Sequence, residues 1–250
     1  MIGFRTRWLV FLRAFSIQGS FNYRTLIGGG FAFALMPVLR RLHRDDEELD
    51  AAVQRHSQLF NSHPYLAPVA LGAVSRMEEA HDPAPVVERF KMAVRGSLGT
   101  LGDRVIWAGW RPVCLLAALA LALLGAAWWA VVGAFLLVYN VGHLAVRAAG
   151  FRMGVRWGRD VGERLRRLPL GGVQRGLAWA GAFMTGLVLV LVVAWGPVPP
   201  VGRGEWMEGP GWTLAAAVAG GLGIRFRSAL RGPLVLALLG VAALGIALGI

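Results

Sequence analysis

The chain has 250 residues, of which 56% are hydrophobic and only 16% are charged, and its mean hydropathy is +0.56. These values exclude an ordinary soluble domain and indicate a membrane protein. The net charge of +12 would favour nucleic acid binding in a polar protein, but here the arginines cluster at the ends of apolar runs, as in cytoplasmic loops. The single cysteine, Cys114, excludes an intrachain disulfide, and we expect it to be a small buried side chain.

The first 25 residues predict an amphipathic helix on the inner membrane surface, with the N-terminus in the cytoplasm. Apolar residues recur at helical spacing and arginines occupy the other side: Trp8, Leu9, Leu12 and Phe15 against Arg5, Arg7 and Arg13. The arginines interrupt the apolar stretch, so we expect no cleavable signal peptide.

Two short apolar segments follow, at residues 26–39 and 65–74, and each is interrupted by Gly or Pro. A spanning helix needs about 20 apolar residues, so these segments predict re-entrant or protein-buried pieces of a core that covers residues 26–112. Between them, the polar stretch near 45–60 predicts a cytoplasmic helix that begins close to Asp45.

Conventional spans are predicted in the second half of the chain, at residues 113–141, about 177–196, about 212–224 and 233–250. As one helix, the first of these would rise about 43 Å, which exceeds a hydrocarbon core of about 30 Å. It is therefore either one tilted helix or two helices broken near Gly125.

The charges between the spans predict the orientation. Residues 147–175 form a basic loop with eight arginines and two acids, and residues 225–231 carry three arginines and no acid. Residues 197–211 hold one arginine and two glutamates. The positive-inside rule places the first two loops in the cytoplasm and the third outside, so the C-terminus is expected outside.

Within the basic loop, four glycines follow a strict spacing of four: Gly150, Gly154, Gly158 and Gly162. Such a ridge allows close backbone approach and predicts a docking face for a partner helix. The alternative is an interfacial helix that its glycines weaken, by about 1 kcal/mol each relative to alanine.

Motifs for zinc hydrolysis, nucleotide hydrolysis, a serine nucleophile elbow and an EF-hand are missing from the sequence, and its five histidines lack metal-ligand spacing. We therefore expect no cofactor and no metal. The glycines of residues 96–102 lack the lysine of a phosphate loop, so close backbone packing or a re-entrant turn ending at Asp103 is expected instead. No arginine follows Glu78 and Glu79 at close helical spacing, so an intramembrane protease is not supported and a solvated acidic helix end is expected.

Four blocks, in order, carry a family resemblance: "QGSFNYRTLIGGGFAFALMPVLRRL" at 18–42, "RHSQLFNSHPYLAPVALGAVSRMEE" at 55–79, "GSLGTLGDRVIWAGWRPV" at 96–113 and "FLLVYNVGHLAVRAAGFRMGVRWG" at 135–158. Together they resemble the IID membrane component of the mannose/fructose/sorbose-type sugar phosphotransferase system (PTS). The resemblance runs from about residue 10 to residue 165, and the later spans agree in character only.

The resemblance implies an all-α polytopic protein of the bacterial inner membrane, with broken or re-entrant helices in its N-terminal half and transmembrane helices in its C-terminal half. It implies a subunit that is not itself catalytic and that pairs with a IIC subunit to carry a mannose-class hexose inward. Cytoplasmic IIA and IIB proteins would pass phosphate to the sugar, and IIC–IID pairs would assemble into larger complexes. No nucleic acid partner is implied.

The family pattern is matched at seventeen positions: Gln18, Gly19, Asn22, Asn61, Pro64, Ala67, Pro68, Gly72, Glu78, Glu79, Gly102, Asp103, Trp107, Arg111, Pro112, Asn140 and Gly150. The resemblance implies that polar residues of these blocks face the sugar or the IIC partner, and the candidates are Gln18, Asn22, Asn61, His63, Asp103 and Asn140. The alternative is that they satisfy backbone groups freed by helix breaks. The expected helix-break or structural positions are Pro64, Pro68, Gly99 and Gly102.

The chain also departs from the family pattern. Two prolines and one glycine of the family's Gly-Pro-Leu-Ala-Gly-x-Gly-Asp-Pro turn are replaced between Gly96 and Arg104, and Arg104 is placed to pair with Asp103. Alanines stand at 148 and 149, where the family has paired tyrosines. These changes leave two alternatives open: a non-transporting regulatory or scaffold subunit that anchors phosphocarriers through the basic loop, and an intramembrane enzyme centred on His63.

Overall fold

The computed structural model describes residues 2–195, and throughout this part of the chain the regular elements are helices without any sheet. The predicted all-α class is therefore confirmed. The helices are α1 (Phe4–Arg13), α2 (Gly28–Leu42), α3 (Asp46–Ser57), α4 (Ala67–Glu79), α5 (Ala84–Gly102), α6 (Arg111–Leu123), α7 (Trp128–Trp157), α8 (Val161–Arg167) and α9 (Leu170–Trp195).

The described residues form two compact units. The first contains the chain up to Trp107 together with Asn140–Pro169, and the second contains Ala108–Tyr139 and the described residues from Leu170 onwards. The predicted spans at 212–224 and 233–250 lie outside the described residues.

The N-terminal helix is shorter than the predicted 1–25, because α1 ends at Arg13 and only a short 3₁₀ turn, Ala14–Ser16, continues it. The side chain of Asn22 then organises a local turn. Its Nδ2 donates to the Ser20 carbonyl (3.1 Å) and to Thr25 Oγ1 (2.8 Å), while its Oδ1 accepts from two backbone amides. Asparagine side chains that bond to nearby backbone compete with helix in this way.

The segment predicted as an interrupted piece at 26–39 is one continuous helix, α2, with Pro37 inside it. The next helix, α3, begins where its aspartates predicted. Asp45 is its N-cap and accepts a hydrogen bond from the Glu48 amide at 3.2 Å. The acidic first turn also complements the positive end of the helix dipole.

The centre of the first unit is α4, in which eleven of the thirteen residues are buried. A helix that is apolar on all sides belongs in a core, and α4 contacts α1, α2, α5 and the 3₁₀ turn Gly158–Asp160. Pro68 stands in its first turn, where a missing N–H costs nothing, so it starts the helix rather than breaking it.

After α5 the chain continues as a π-helical stretch, Asp103–Trp110, directly into α6. The helix is not broken at Gly99, which lies inside α5, and no turn ends at Asp103. Gly102 instead lies so close to the His63 side chain that there is no room for a Cβ. The sequence predicted either close backbone packing or a re-entrant turn for this segment, and the position of Gly102 agrees with close packing.

The segment predicted at 113–141 consists of two helices, because α6 ends at Leu123 and α7 begins at Trp128. Gly125 has φ +85° between them, a conformation that favours glycine. In the second unit α6 packs against α9 through the buried side chains of Ala120, Val188 and Leu191. Cys114 is buried and unbridged, as expected.

The basic loop at 147–175 is largely helical, in α7, a 3₁₀ turn, α8 and the start of α9, and its cytoplasmic position stays a prediction. Two of its glycines lie against another helix. Gly150 and Gly154 lie against α4 near Val69, so this part of α7 is held by packing rather than exposed as a loop.

Within residues 2–195, three helical stretches are long and apolar enough to cross a membrane: Ala84–Leu123, Trp128–Arg167 and Leu170–Val192. The first begins well before residue 113, where the sequence pattern placed the first span. Its π-helical interruption and its charged residues shorten the apolar run that is visible in the sequence.

Candidate functional site

Five side chains of the first unit meet in a polar and aromatic group that we call the His63 cluster: His63, Tyr65, Trp107, His143 and Arg147. The first two precede α4, Trp107 belongs to the π-helical stretch, and the last two lie one turn apart on α7. The cluster therefore joins three separate parts of the chain.

His63 is only 2% exposed, and its Nδ1 accepts a hydrogen bond from the Tyr65 amide at 3.1 Å. Burial lowers the pKa of His63 to about 4; the charge of Asp103 opposes this shift and that of Arg147 adds to it. The ring is thus neutral at pH 7 with its proton on Nε2. That atom is buried without a hydrogen-bond partner among the described residues, so it is an unused donor.

Trp107 lies edge-on to His63, with 4.8 Å between the ring centroids, and is 43% exposed. It is presented by the π-helical stretch, a geometry that occurs frequently at functional sites. Gly102, just before this stretch, allows the helix to approach His63 closely. The cluster therefore has one half-exposed aromatic surface beside a buried donor.

Arg147 is 5% exposed and its guanidinium lies between two rings, 4.6 Å from the centroid of Phe15 and 4.7 Å from that of Tyr65. Its Nη1 donates to the Ala14 carbonyl at 3.2 Å. A buried cation held by aromatic faces is stabilised by their quadrupoles. Arg147 thus fixes the end of the N-terminal helix, the segment before α4 and α7 to one another.

His143 stacks on Tyr65 with 4.6 Å between centroids and an angle of 20°. Its Nε2 donates to Asn140 Oδ1 at 2.8 Å. Asn140 is therefore attached to the cluster through His143.

The structure brings together some of the predicted path residues and separates others. His63 and Asn140 belong to the cluster or adjoin it, and Asp103 is exposed but near enough for its charge to act on His63. Gln18 and Asn61 are exposed elsewhere. Asn22 is occupied by its own turn, as the backbone-satisfaction alternative expects. The roles of these residues remain predictions.

The expected pairing of Arg104 with Asp103 does not occur, because no ion pair joins them within the described chain. Sequence reasoning also missed Tyr65, His143 and Arg147 as cluster members. The available signal was a histidine and an arginine four residues apart inside an apolar run, which places both on one helix face.

A second group, the Glu78 network, consists of Glu78, His43, Arg55 and His56. The Glu78 carboxylate accepts from Arg55 Nη2 and His56 Nε2, both at 2.9 Å, and His43 lies 3.7 Å away. Burial alone would raise the pKa of Glu78, but the hydrogen bonds and charges of His56 and Arg55 outweigh it and lower the pKa to about 2. Burial lowers the pKa of His56 to about 4 despite its bond to Glu78.

Lys91 completes this region from α5. It is 4% exposed, its Nζ donates to the carbonyls of Arg55 and His56 at 3.1 Å each, and it lies 5.1 Å from the ring centroid of Phe31. These carbonyls are in the last turn of α3, where a cation complements the helix dipole. The arrangement stabilises the packing of α3 on α4 and α5.

The prediction that Glu78 and Glu79 form a solvated acidic pair is wrong, because both side chains are only 6% exposed. Glu79 accepts from the Ile2 amide at 2.6 Å and from Arg7 at 3.1 Å. Burial would raise its pKa, but these partners and Arg76 lower it. A local pattern could not predict this result, because the main partners lie far along the chain: Ile2 and Arg7 for Glu79, and Arg55 and His56 for Glu78.

Within residues 2–195 no three His, Cys, Asp or Glu side chains are grouped so that they could hold a metal ion. A shallow cavity of about 350 Å³ lies in the first unit and is lined by Trp157, Asp160, Glu163, Arg164, Arg167 and Leu168. It does not include any residue of the His63 cluster. The polar geometry of that cluster supports hydrogen bonding and ring stacking, and it contains no serine or cysteine nucleophile.

Residues 2–196 match the family model described as "PTS system mannose/fructose/sorbose family IID component". The chain belongs to this family. IID components are membrane subunits of the phosphotransferase system, and this membership agrees with the three long apolar helices. The expectation of a membrane protein of this family is therefore confirmed.

Curated relatives agree with this assignment. The chain is 30% identical to the PTS system mannose-specific EIID component of Escherichia coli strain K12 over 186 residues, which cover 70% of this chain and 65% of the relative. It is 28% identical to the sorbose-specific EIID component of Klebsiella pneumoniae (74% and 68% covered) and 27% identical to the fructose permease IID component of Bacillus subtilis strain 168 (70% and 67%). The chain thus spans about 65% of the length of the E. coli relative.

Two solved structures show the same fold. A chain of the cryo-EM complex of mannose transporter ManYZ with microcin E492 aligns with a TM-score of 0.59 and 22% identity, covering 100% of this chain and 98% of that one. A second chain, described as a membrane protein, aligns with a TM-score of 0.68 and 23% identity, covering 99% and 98%. At these identities the comparison concerns the fold alone.

Proposed function

We propose that this chain is a transport subunit that forms, with a IIC partner, the path for inward movement of a mannose-class hexose, which IIB phosphorylates. The observation that carries the proposal is the family match over residues 2–196. In this role the chain supplies part of the path and no covalent catalyst. IIA and IIB remain soluble phosphate carriers, and IIC–IID pairs assemble into larger complexes.

The His63 cluster is the part of the chain that we assign to the path. Its buried Nε2 donor, the exposed carboxylate of Asp103 and the amide of Asn140 offer the groups that bind sugar hydroxyls. The half-exposed ring of Trp107 offers an apolar surface for a pyranose face. The other candidates, Gln18, Asn22 and Asn61, would face the IIC partner or support the backbone.

The membrane arrangement is proposed as follows. Residues 26–112 form the core with re-entrant character, α3 and the basic segment 147–175 face the cytoplasm, and the C-terminus lies outside. The N-terminal helix rests on the inner surface of the bacterial cytoplasmic membrane, and its exposed apolar side chains support this: Phe4, Trp8, Leu9, Leu12 and Phe15.

The direct test is phosphoenolpyruvate-dependent hexose uptake in cells that express the candidate IIC, IIA and IIB proteins with or without this chain. We expect uptake only when the chain is present. Equal uptake in both strains would overturn the transport proposal and leave a regulatory or scaffold subunit that anchors phosphocarriers.

The role of the cluster is tested with Trp107→Phe and Trp107→Ala in the same cells. If the ring receives a sugar face, Trp107→Ala raises the half-saturating hexose concentration by about two- to tenfold, because one aromatic contact contributes about 0.5–1.5 kcal/mol. Trp107→Phe should retain most of the affinity. His63→Gln should retain uptake with weakened affinity, because glutamine can still donate. Complete loss of uptake in a correctly inserted His63→Gln protein would instead favour the enzyme alternative.

A further inference from the structure

Three exposed arginines lie close together in the chain, and we call them the arginine stripe: Arg152 and Arg156 in the last turns of α7, and Arg159 in the 3₁₀ turn that follows. Arg152 and Arg156 are four residues apart and therefore lie on one face of α7. Gly150 and Gly154, which contact α4, precede Arg152 and Arg156 by two residues, or about 200° around the helix. The glycine face is therefore packed inside the unit, and Arg152 and Arg156 are turned away from it.

The charge of the stripe is not paired within the part of the chain that the structure describes. Among the described residues no carboxylate forms an ion pair with Arg152, Arg156 or Arg159. By contrast, Arg167 of α8 pairs with Glu163. Guanidinium groups that are not paired with carboxylates attract anionic partners from outside the chain.

The position of the stripe along α7 indicates which partner this is. The apolar part of α7, from Trp128 to Val146, rises about 28 Å, close to the thickness of a hydrocarbon core of about 30 Å. Arg152 and Arg156 follow about 9 Å and 15 Å beyond Val146. Helical side chains tilt toward the N-terminus of their helix, which here is back toward the bilayer. If residues 128–146 cross the hydrocarbon core, the guanidinium groups of Arg152 and Arg156 lie at the depth of the headgroup layer.

The chain also returns to an apolar helix soon afterwards, because Leu170–Val192 is the next stretch long enough to cross a membrane. The stripe therefore lies in the polar C-terminal part of one candidate span, Trp128–Arg167, shortly before the next, and this favours a position near the water–lipid boundary. The phosphate groups of phospholipids lie at this boundary, whereas an acidic soluble protein could equally bind arginines that are farther from the membrane.

We propose that the arginine stripe binds the phosphate groups of anionic phospholipids. Guanidinium groups bind phosphate oxygens through paired, charge-assisted hydrogen bonds, and arginine clusters next to membrane spans attract anionic lipid. This lipid contact is separate from the proposed sugar path.

The test uses the purified full chain in detergent, titrated with solubilised phosphatidylglycerol or phosphatidylcholine, with bound lipid counted by native mass spectrometry. The stripe variant carries Arg152→Gln, Arg156→Gln and Arg159→Gln. The matched control loses the same charge at three other exposed arginines, with Arg24→Gln, Arg44→Gln and Arg89→Gln. We expect the wild type and the control to prefer phosphatidylglycerol, and the stripe variant to bind it at least about tenfold more weakly.

The lysine version of the stripe, with Arg→Lys at the same three positions, should recover part of the preference, because charge is kept and the bidentate geometry is lost. A variant is folded if its unfolding temperature in phosphatidylcholine equals that of the wild type. If the triple variant fails this test, the three single variants are used in its place. Equal binding of the two lipids by the wild type, or equal losses in stripe variant and control, would overturn the proposal. Complete displacement of phosphatidylglycerol by inorganic phosphate would also overturn the proposal. So would a stripe variant that no longer binds an acidic phosphocarrier but binds lipid as the wild type does.

Discussion

Gly154 of α7 lies directly against the backbone of Val69 in α4, so that a Cβ at position 154 would overlap the Val69 carbonyl and lie 2.7 Å from the Ala73 amide nitrogen. The contact is reciprocal, because a Cβ on Gly72 of α4 would overlap the Phe151 carbonyl. Two glycines on facing helices therefore set how closely α7 approaches α4. This distance leaves no space that a side chain could occupy without moving a helix.

The first prediction concerns this contact. Gly154→Ala should destabilise the protein by about 1–3 kcal/mol, because overpacking must displace backbone and not a flexible side-chain end. The measurement is the midpoint of thermal unfolding in detergent. Gly96→Ala is the matched control, since nothing lies within 4 Å of its Cβ position in α5, and its midpoint should stay the same or rise slightly. A Gly154→Ala midpoint equal to that of the control would contradict the packing argument.

Local patterns in the sequence predicted the features that depend on near neighbours. Asp45 predicted the start of α3, because a cap is a property of a few consecutive residues. Of the four glycines, Gly150 and Gly154 lie on α7 against α4, whereas Gly158 stands in a 3₁₀ turn and Gly162 in α8, so the docking ridge stays a prediction. The burial of Glu78 could not be predicted from a local pattern. Its partners Arg55 and His56 lie on another helix, more than twenty residues earlier.

Only part of the candidate site could be predicted from the sequence. His63 and Asn140 were singled out as polar residues in apolar surroundings, but the contacts that join them run through Tyr65 and His143. Which polar residues meet depends on how α7 crosses the segment before α4. One sequence does not contain that information in a local pattern.

The second prediction concerns Glu78, whose carboxylate is the centre of a buried network. Glu78→Gln should cost about 3–5 kcal/mol, because the largely buried charge of Arg55 is left uncompensated. The free energy of unfolding by denaturant measures this loss. Glu163→Gln, which breaks an exposed pair with Arg167, is the control and should change stability by less than about 1 kcal/mol. Similar losses of unfolding free energy in Glu78→Gln and Glu163→Gln would show that burial does not increase the contribution of the Glu78 network to stability.

The third prediction is a loss of stability as the pH falls. The folded-state pKa of His56 is lowered to about 4 from 6.5, so between these values the unfolded chain binds a proton that the folded protein excludes. From pH 7 to 5 this group should remove about 2 kcal/mol of stability. Glu78 acts in a lower window: its stabilising contribution is present above pH 4.5 and is lost as the pH falls toward 2.

The measurement compares unfolding midpoints at pH 7, 6 and 5 for the wild type and His56→Gln. Glutamine can still donate to Glu78 but does not titrate, so the pH dependence should become shallower. His81→Gln, at an exposed position, is the control and should keep the slope of the wild type. An unchanged slope in His56→Gln would assign the pH dependence to other groups.

The fourth prediction concerns Arg147. Arg147→Met should destabilise the protein by about 2–4 kcal/mol, because it removes two cation–π contacts and the hydrogen bond to Ala14. Arg147→Lys should lose less, since it keeps the charge near the rings but not the planar stacking. Thermal unfolding checks both variants against Arg44→Met, an exposed position with no expected effect. If Arg147→Lys and Arg147→Met lower the unfolding midpoint equally, the charge of Arg147 is not the source of the stabilisation.

The last prediction concerns the junction between α6 and α7 in the second unit. Gly125 has φ +85° and no neighbouring atom within 4 Å of its Cβ position, so any cost of Gly125→Ala comes from backbone strain and not from crowding. That cost should be about 1–3 kcal/mol. Gly133→Ala is the matched control, because its Cβ position is equally open but lies inside α7, where alanine is favoured by up to about 1 kcal/mol. The two substitutions should therefore shift the unfolding midpoint in opposite directions, and a common direction would show that the junction does not require a left-handed residue.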